Sequence, residues 1–336
     1  MLKKILSFII VFLILFPLPV KANETFLDYP TSSVDHHKQY LSFKAMLDDP
    51  SLISYWAWRK SSEQVLSAPS QNINFKIYDS PNVIITNPYP LNSINLAAKL
   101  YYQSNPPTDV NLLRYTYSDI YWAESVWSNA FLEYPSFKND VFNACKNQYS
   151  CHGGFAGFNS LKQSWLGLAS MHSNVKSPNH YSGTLEAHEY VHTIQQSQMY
   201  KSPYNFNSLP IWLPEGQASY AQAASVYYYS FDLYIKEKNR IISSLNETYD
   251  WIQNFLTLSF DTSKNVSATF HQWRPYDVGF LVVEILTAYK GPTSVMNLYK
   301  EVAAGKTFEQ AFYSQYQITW NEAYPLISKI IYFQIK

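Results

Sequence analysis

The sequence predicts an α+β fold: a small mixed sheet packed on one long helix, followed by a mainly helical C-terminal lobe. Three observations predict it. Residues Ile73, Phe75 and Ile77 alternate with polar neighbours, and Trp165–Met171 (WLGLASM) is a short apolar run; both are strand patterns. A helix-compatible stretch runs from about Gly183 to Gln198 between two polar segments. Beyond residue 212 the patterns are helical, and Leu281–Tyr289 and Ser294–Ala303 are clearly marked pieces separated by Gly291-Pro292.

Lys3 and Lys4 precede an almost wholly apolar run, Ile5–Val20, which Pro17 and Pro19 interrupt near its end. Val20-Lys21-Ala22 then offers short residues where a signal peptidase reads, so residues 1–22 are expected to be a secretory signal peptide cleaved after Ala22. No later stretch is apolar enough to cross a bilayer, so a secreted or periplasmic protein with no membrane span after cleavage is expected. Residues 23–70 read as a helical lead-in, open to removal as a propeptide. Residues 71–336 read as the main domain, with lobes of about 71–205 and 206–336.

Within that domain, Val83–Thr86 reads as a second strand after Ser80-Pro81, Ile94–Ser104 as a helix stopped by Pro106-Pro107, and 118–132 as another helix. The segment 152–160 (HGGFAGFNS) holds three of the nine glycines and reads as a loop or turn. Thr184 is expected to cap the helix that follows, and a further helix starts near Pro214.

Lysine plus arginine and aspartate plus glutamate balance at 25 each, which removes the electrostatic basis of nucleic-acid binding. Aromatic residues are abundant, with 29 Tyr, 20 Phe and 9 Trp, enough to build a core and to line a cleft. Cys145 and Cys151 are the only cysteines; in an oxidising compartment they are expected to form a disulfide. Asn23, Asn246 and Asn265 begin N-x-Ser/Thr triplets.

Residues 188–192 read His-Glu-Tyr-Val-His. Positions four apart share a helix face, so His188 and His192 can direct two imidazoles at one zinc ion. Glu189 can then reach a water bound to that ion. Such a site needs a third protein ligand and one open position. Glu215, in Trp212–Tyr220 (WLPEGQASY), is the favoured ligand, with His172, His180 and His271 as alternatives. Gly216 after it is expected to let the two helices approach closely.

HEYVH followed by LPEGQASY resembles the gluzincins, thermolysin-like zinc peptidases whose third ligand is a glutamate on a following helix. HEYVH also resembles the motif of bacterial collagenases. The resemblance is tight over 184–220, weaker from Tyr276 through Ala311, and absent from 23–150. It implies a zincin-like fold, one zinc ion, a peptide or protein substrate, and Glu189 as the general base. It also suggests Tyr276 as donor to the tetrahedral intermediate, with His271 as runner-up. Thermolysin carries an aspartate four residues after the ligand glutamate; this chain has Ser219 there, leaving Ser219, Glu186 or a backbone carbonyl to orient a zinc-bound imidazole. Strand 165–171 is a candidate edge for an extended peptide. The competing expectations are a zinc- or peptide-binding module without turnover, and a carbohydrate-binding surface on which the histidine motif is accidental.

Overall fold

The computed structural model describes residues 39–171, 178–202, 206–258 and 272–336. The signal-peptide segment, the first part of the lead-in, His172, Asn265 and His271 therefore lie outside the described residues. The lead-in contributes α1 (Phe43–Asp48) and α2 (Ile53–Ser67). Then come β1 (Asn74–Asp79), α3 (Pro90–Leu100), β2 (Asp109–Tyr115), α4 (Ile120–Ala130), α5 (Lys138–Ala144), the hairpin β3 (Cys145–Asn147) and β4 (Ser150–Cys151), β5 (Gly154–Phe158) and β6 (Ser164–Ala169). The described residues beyond β6 form α6 (Pro178–Ser182), α7 (Thr184–Met199), α8 (Trp212–Val226), α9 (Phe231–Ile241), α10 (Tyr249–Leu258), α11 (Arg274–Lys290), α12 (Pro292–Ala303), α13 (Phe308–Tyr316) and α14 (Trp320–Gln334). The class is α+β with a small mixed sheet, as the sequence predicts.

The sheet runs β1-β2-β6-β5, parallel across its first three strands and antiparallel at β5. Side chains alternate between its faces. Val110, Leu112, Leu166 and Leu168 join Ala187, Tyr190, Val191 and Ile194 of α7 in the main core. Leu113, Tyr115, Trp165 and Ala169 face the other way, onto α4, α5 and the cysteine hairpin. The Cys145–Cys151 disulfide is formed and both cysteines are buried.

Four sequence expectations change here. Val83–Thr86 is not a strand. Asp119 accepts from Ser80 Oγ and from Asn82, and Arg114 binds the Asn87 carbonyl at 2.9 Å, so side-chain hydrogen bonds, not a strand ladder, hold the segment. The run at 165–171 is β6, an interior strand between β2 and β5, so it has no free edge. The glycine-rich segment 152–160 contains β5, which is an edge strand. Finally, Gly183, not Thr184, occupies the cap of α7, at φ 83°. A Cβ there would meet Ser93 Oγ of α3 at 1.9 Å, so both backbone and space require glycine.

The lead-in helix α2 is built into the core. Trp58 Nε1 donates to the Tyr227 carbonyl (3.0 Å), and the Tyr220 hydroxyl bonds the Ala57 carbonyl and Ser61 Oγ at 2.8 Å each. Lys60 Nζ donates to the carbonyls of Ala288 and Tyr289 at the end of α11. Helices α8 and α11 pack closely. They cross backbone to backbone at Gly216 and Gly279, where a Cβ on Gly216 would meet the Gly279 carbonyl carbon at 2.2 Å. The glycine after Glu215 thus serves the approach of α11, not of α7 as expected from sequence.

Candidate metal centre

Helix α7 buries Ala187, Tyr190, Val191 and Ile194 against the sheet and the helical core, and Tyr190 OH anchors it to the Pro107 carbonyl at 2.6 Å. That packing turns His188 and His192 toward the first turn of α8. There, stacking of Trp212 on Trp320 (5.5 Å between centroids) fixes the helix start that carries Glu215. Glu215 Oε2 lies 3.4 Å from Nε2 of His188 and 3.2 Å from Nε2 of His192, and the two Nε2 atoms are 3.2 Å apart. The three residues form a group able to hold a metal ion. His188 is buried, whereas His192 and Glu215 are partly exposed, so the triangle opens to solvent on one side.

The other ring nitrogens face two glutamines. His188 Nδ1 is 2.9 Å from Gln222 Oε1, and His192 Nδ1 is 2.9 Å from Gln195 Oε1. An amide oxygen only accepts, so each Nδ1 carries its ring's proton and each Nε2 presents a lone pair. Two imine nitrogens and a carboxylate oxygen then converge with no hydrogen among them, and Glu215 Oε2 accepts no hydrogen bond. Such a cluster is suited to a cation. A proton on His192 is one candidate: burial pulls its pKa down, but the Glu215 carboxylate more than offsets this and draws it up to about 9. A metal ion is the other, and the imidazoles hold the Glu215 carboxyl well below its usual range in spite of burial.

Glu189 is buried beside this triangle. Burial raises its pKa, while His188 and His192 pull it back and Glu215 raises it further. Its carboxylate rests on β5, where a Cβ at Gly154 would lie 2.2 Å from Oε1. Tyr276, in the first turn of α11, stacks on the His188 ring (6.0 Å, 12°). Burial, with the Glu215 and Glu189 carboxylates, raises its pKa and keeps the phenol a donor. Exposed Trp273 packs edge-on against Tyr276 at 5.3 Å and forms the rim.

The structure therefore brings together His188, Glu189, His192, Glu215 and Tyr276. His180 is elsewhere. It lines a small cavity with Arg114, Leu185 and Glu186, and burial, aided by His152, lowers its pKa to about 4. Glu186 faces that cavity too; it accepts from Asn87 Nδ2 at 2.9 Å, and burial pushes it up to about 7. Neither Glu186 nor Ser219 orients an imidazole; Gln195 and Gln222 do. Both were within reach of sequence reasoning: Gln195 follows His192 by three, and Gln222 follows Glu215 by seven, two helical turns on one face. Gly154 had no such signal. Comparison with known protein families, curated proteins and solved structures finds no match, so the reading rests on this chain's own residues.

Proposed function

We propose that the protein is an exported zinc-dependent endopeptidase of zincin-like build, with His188, His192 and Glu215 as zinc ligands. The triangle of donor atoms carries this reading. Two ligands about 2.1 Å from a tetrahedral zinc ion lie about 3.4 Å apart, and the three separations here are 3.2, 3.2 and 3.4 Å. Two imidazoles and one carboxylate suit zinc, whereas calcium takes six to eight oxygens at about 2.3–2.6 Å. The donor set also leaves its fourth side open for water.

When bound, zinc supplies Lewis acidity and acidifies the attacking water. The Glu189 carboxylate accepts the water's proton and delivers it to the leaving amine nitrogen. Its raised pKa suits both halves of that transfer. The Tyr276 phenol donates to the oxygen on which charge develops. Strand β5 supports an extended substrate. Gly153 O accepts from Ala169 N and Asn159 N donates to Gln163 O, so the backbone groups of Gly154, Ala156 and Phe158 turn away from β6. Gln196 holds the Ala156 carbonyl; the remaining groups on that edge are those an extended peptide pairs with.

The test combines metal analysis with cleavage of an unfolded protein. Wild type is expected to hold one zinc per chain and to cleave. Glu189→Gln keeps the zinc and loses cleavage, and Glu215→Ala loses both. Equal cleavage by wild type and Glu189→Gln refutes the mechanism; stoichiometric zinc without turnover on any peptide makes the chain a binding module. Export is supported by the disulfide and is tested by finding Asn23 as the mature N-terminus.

A further inference from the structure

Gln222 and Gln195 could in principle offer either end of their amides to the imidazoles. What decides is the partner on the far side. Gln222 Nε2 donates to Glu237 Oε1 of α9 at 2.8 Å. The Glu237 carboxylate is paired with Arg240 at 2.7 Å and can only accept, so the amide nitrogen must face it and the amide oxygen must face His188. Gln195 repeats the device within the helix pair: its Nε2 donates to the Pro214 carbonyl and to Gln217 Oε1, both at 3.0 Å, which turns its oxygen to His192.

We propose that Glu237 is a positioning residue for the metal centre. By fixing which end of Gln222 faces His188, it keeps the His188 proton on Nδ1 and the Nε2 lone pair aimed at the metal. The inference rests on the proposed metal site. It adds a residue on α9 that touches neither metal nor substrate, and it explains how neutral amides take over the task of orienting both imidazoles. Glu237 is buried, and Gln222 satisfies it on the inner side while Arg240 does so on the outer side. A chain of hydrogen bonds therefore runs from the ligand His188 to the surface of α9.

The test measures zinc affinity of the metal-stripped full chain by competition with a chromophoric chelator. Glu237→Gln gives Gln222 a partner that offers a donor as readily as an acceptor, so the amide is free to turn, and affinity is expected to fall roughly tenfold or more. The double variant Gln222→Glu/Glu237→Gln exchanges the two groups. The carboxylate at 222 then accepts from His188 Nδ1 and from the amide at 237, and affinity recovers. A purely structural role for Glu237 predicts no such recovery. The imidazole tautomers of metal-free wild type, read by long-range proton–nitrogen NMR, need no variant: His188 is expected to carry its proton on Nδ1. A proton on Nε2, or Glu237→Gln binding zinc as tightly as wild type, overturns the proposal. Wild type that binds no zinc overturns the metal site itself, and the inference with it.

Discussion

Gly279→Ala is the substitution whose consequence follows most directly from the packing. A Cβ at 279 would lie 2.4 Å from the Trp212 carbonyl oxygen and 2.7 Å from Gly216 Cα, both backbone atoms that cannot rotate away. Ordinary contact needs about 3.5 Å, so α11 must retreat from α8 by about 1 Å. Overpacking of this kind costs roughly 1–3 kcal/mol, readable as a lower denaturation midpoint with an unchanged denaturant slope. The displacement also reaches the site. Tyr276 lies one turn before Gly279 on α11 and stacks on the ring of His188, which lies beside Glu215, the residue before Gly216. A shift of about 1 Å at Tyr276, the proposed donor, is expected to lower kcat/KM on the order of 100-fold. Zinc affinity is expected to hold, because α11 carries no ligand and Gln195 independently bridges α7 to Pro214 and Gln217 of α8. Wild-type stability together with wild-type kcat/KM in Gly279→Ala would show that the helix crossing does not set the position of Tyr276.

Three further outcomes are expected. Gly154→Ala places a methyl where Glu189 Oε1 lies, so on the proposed mechanism cleavage is expected to be lost while zinc stays bound; retained cleavage would dissociate β5 from the proposed catalytic base. Cys145→Ser/Cys151→Ser removes a short covalent loop and is expected to cost about 2 kcal/mol in a denaturation curve, with the damage greatest in the hairpin that leads into β5. His180 sets a pH dependence. Its folded pKa of about 4 lies below the ordinary 6.5, so the unfolded chain binds the extra proton and this group's share of stability is lost as pH falls from about 6.5 through 4. The loss is on the order of 3 kcal/mol. Glu186, raised to about 7, works with the opposite sign, losing its share as pH rises from 4.5 through 7. Comparison of wild type with His180→Gln isolates the histidine: the variant should keep more of its stability at pH 4.5, and parallel curves would refute the assignment.

The ligand geometry was legible because it is local. A spacing of four from one histidine to the next on a helix is a statement about one turn, and it survives whatever the helix packs against. Glu215 was legible for a related reason, since a short connection returns a helix beside its neighbour. What escaped is what tertiary contact decides. Strand β2 is buried on both faces, so Val110, Leu112, Leu113 and Tyr115 show no clean alternation with polar residues. The polarity of the His188 partner escaped because the expected carboxylate four residues after Glu215 is replaced by an amide seven residues after it, whose orientation depends on α9, a helix the motif does not include.

The glycines show most clearly why a site can be hidden while its motif is plain. A cluster such as His152–Ser160 reads as a turn because glycine most often serves backbone conformations closed to other residues. Yet none of Gly153, Gly154 and Gly157 has a positive φ; among the described glycines that conformation belongs to Gly183, Gly291 and Gly305. At 154 and 157 the missing side chain provides room, for Glu189 on one face of β5 and for the Phe131 ring on the other. A strand that must lie against a buried carboxylate and a buried aromatic ring at once can be built only from residues that look, in sequence, like the end of a strand. The composition that disguises β5 is therefore what lets an edge strand sit beside the proposed catalytic base, and the same reasoning explains why Gly216 and Gly279, both inside helices, set the position of Tyr276 rather than weaken its support.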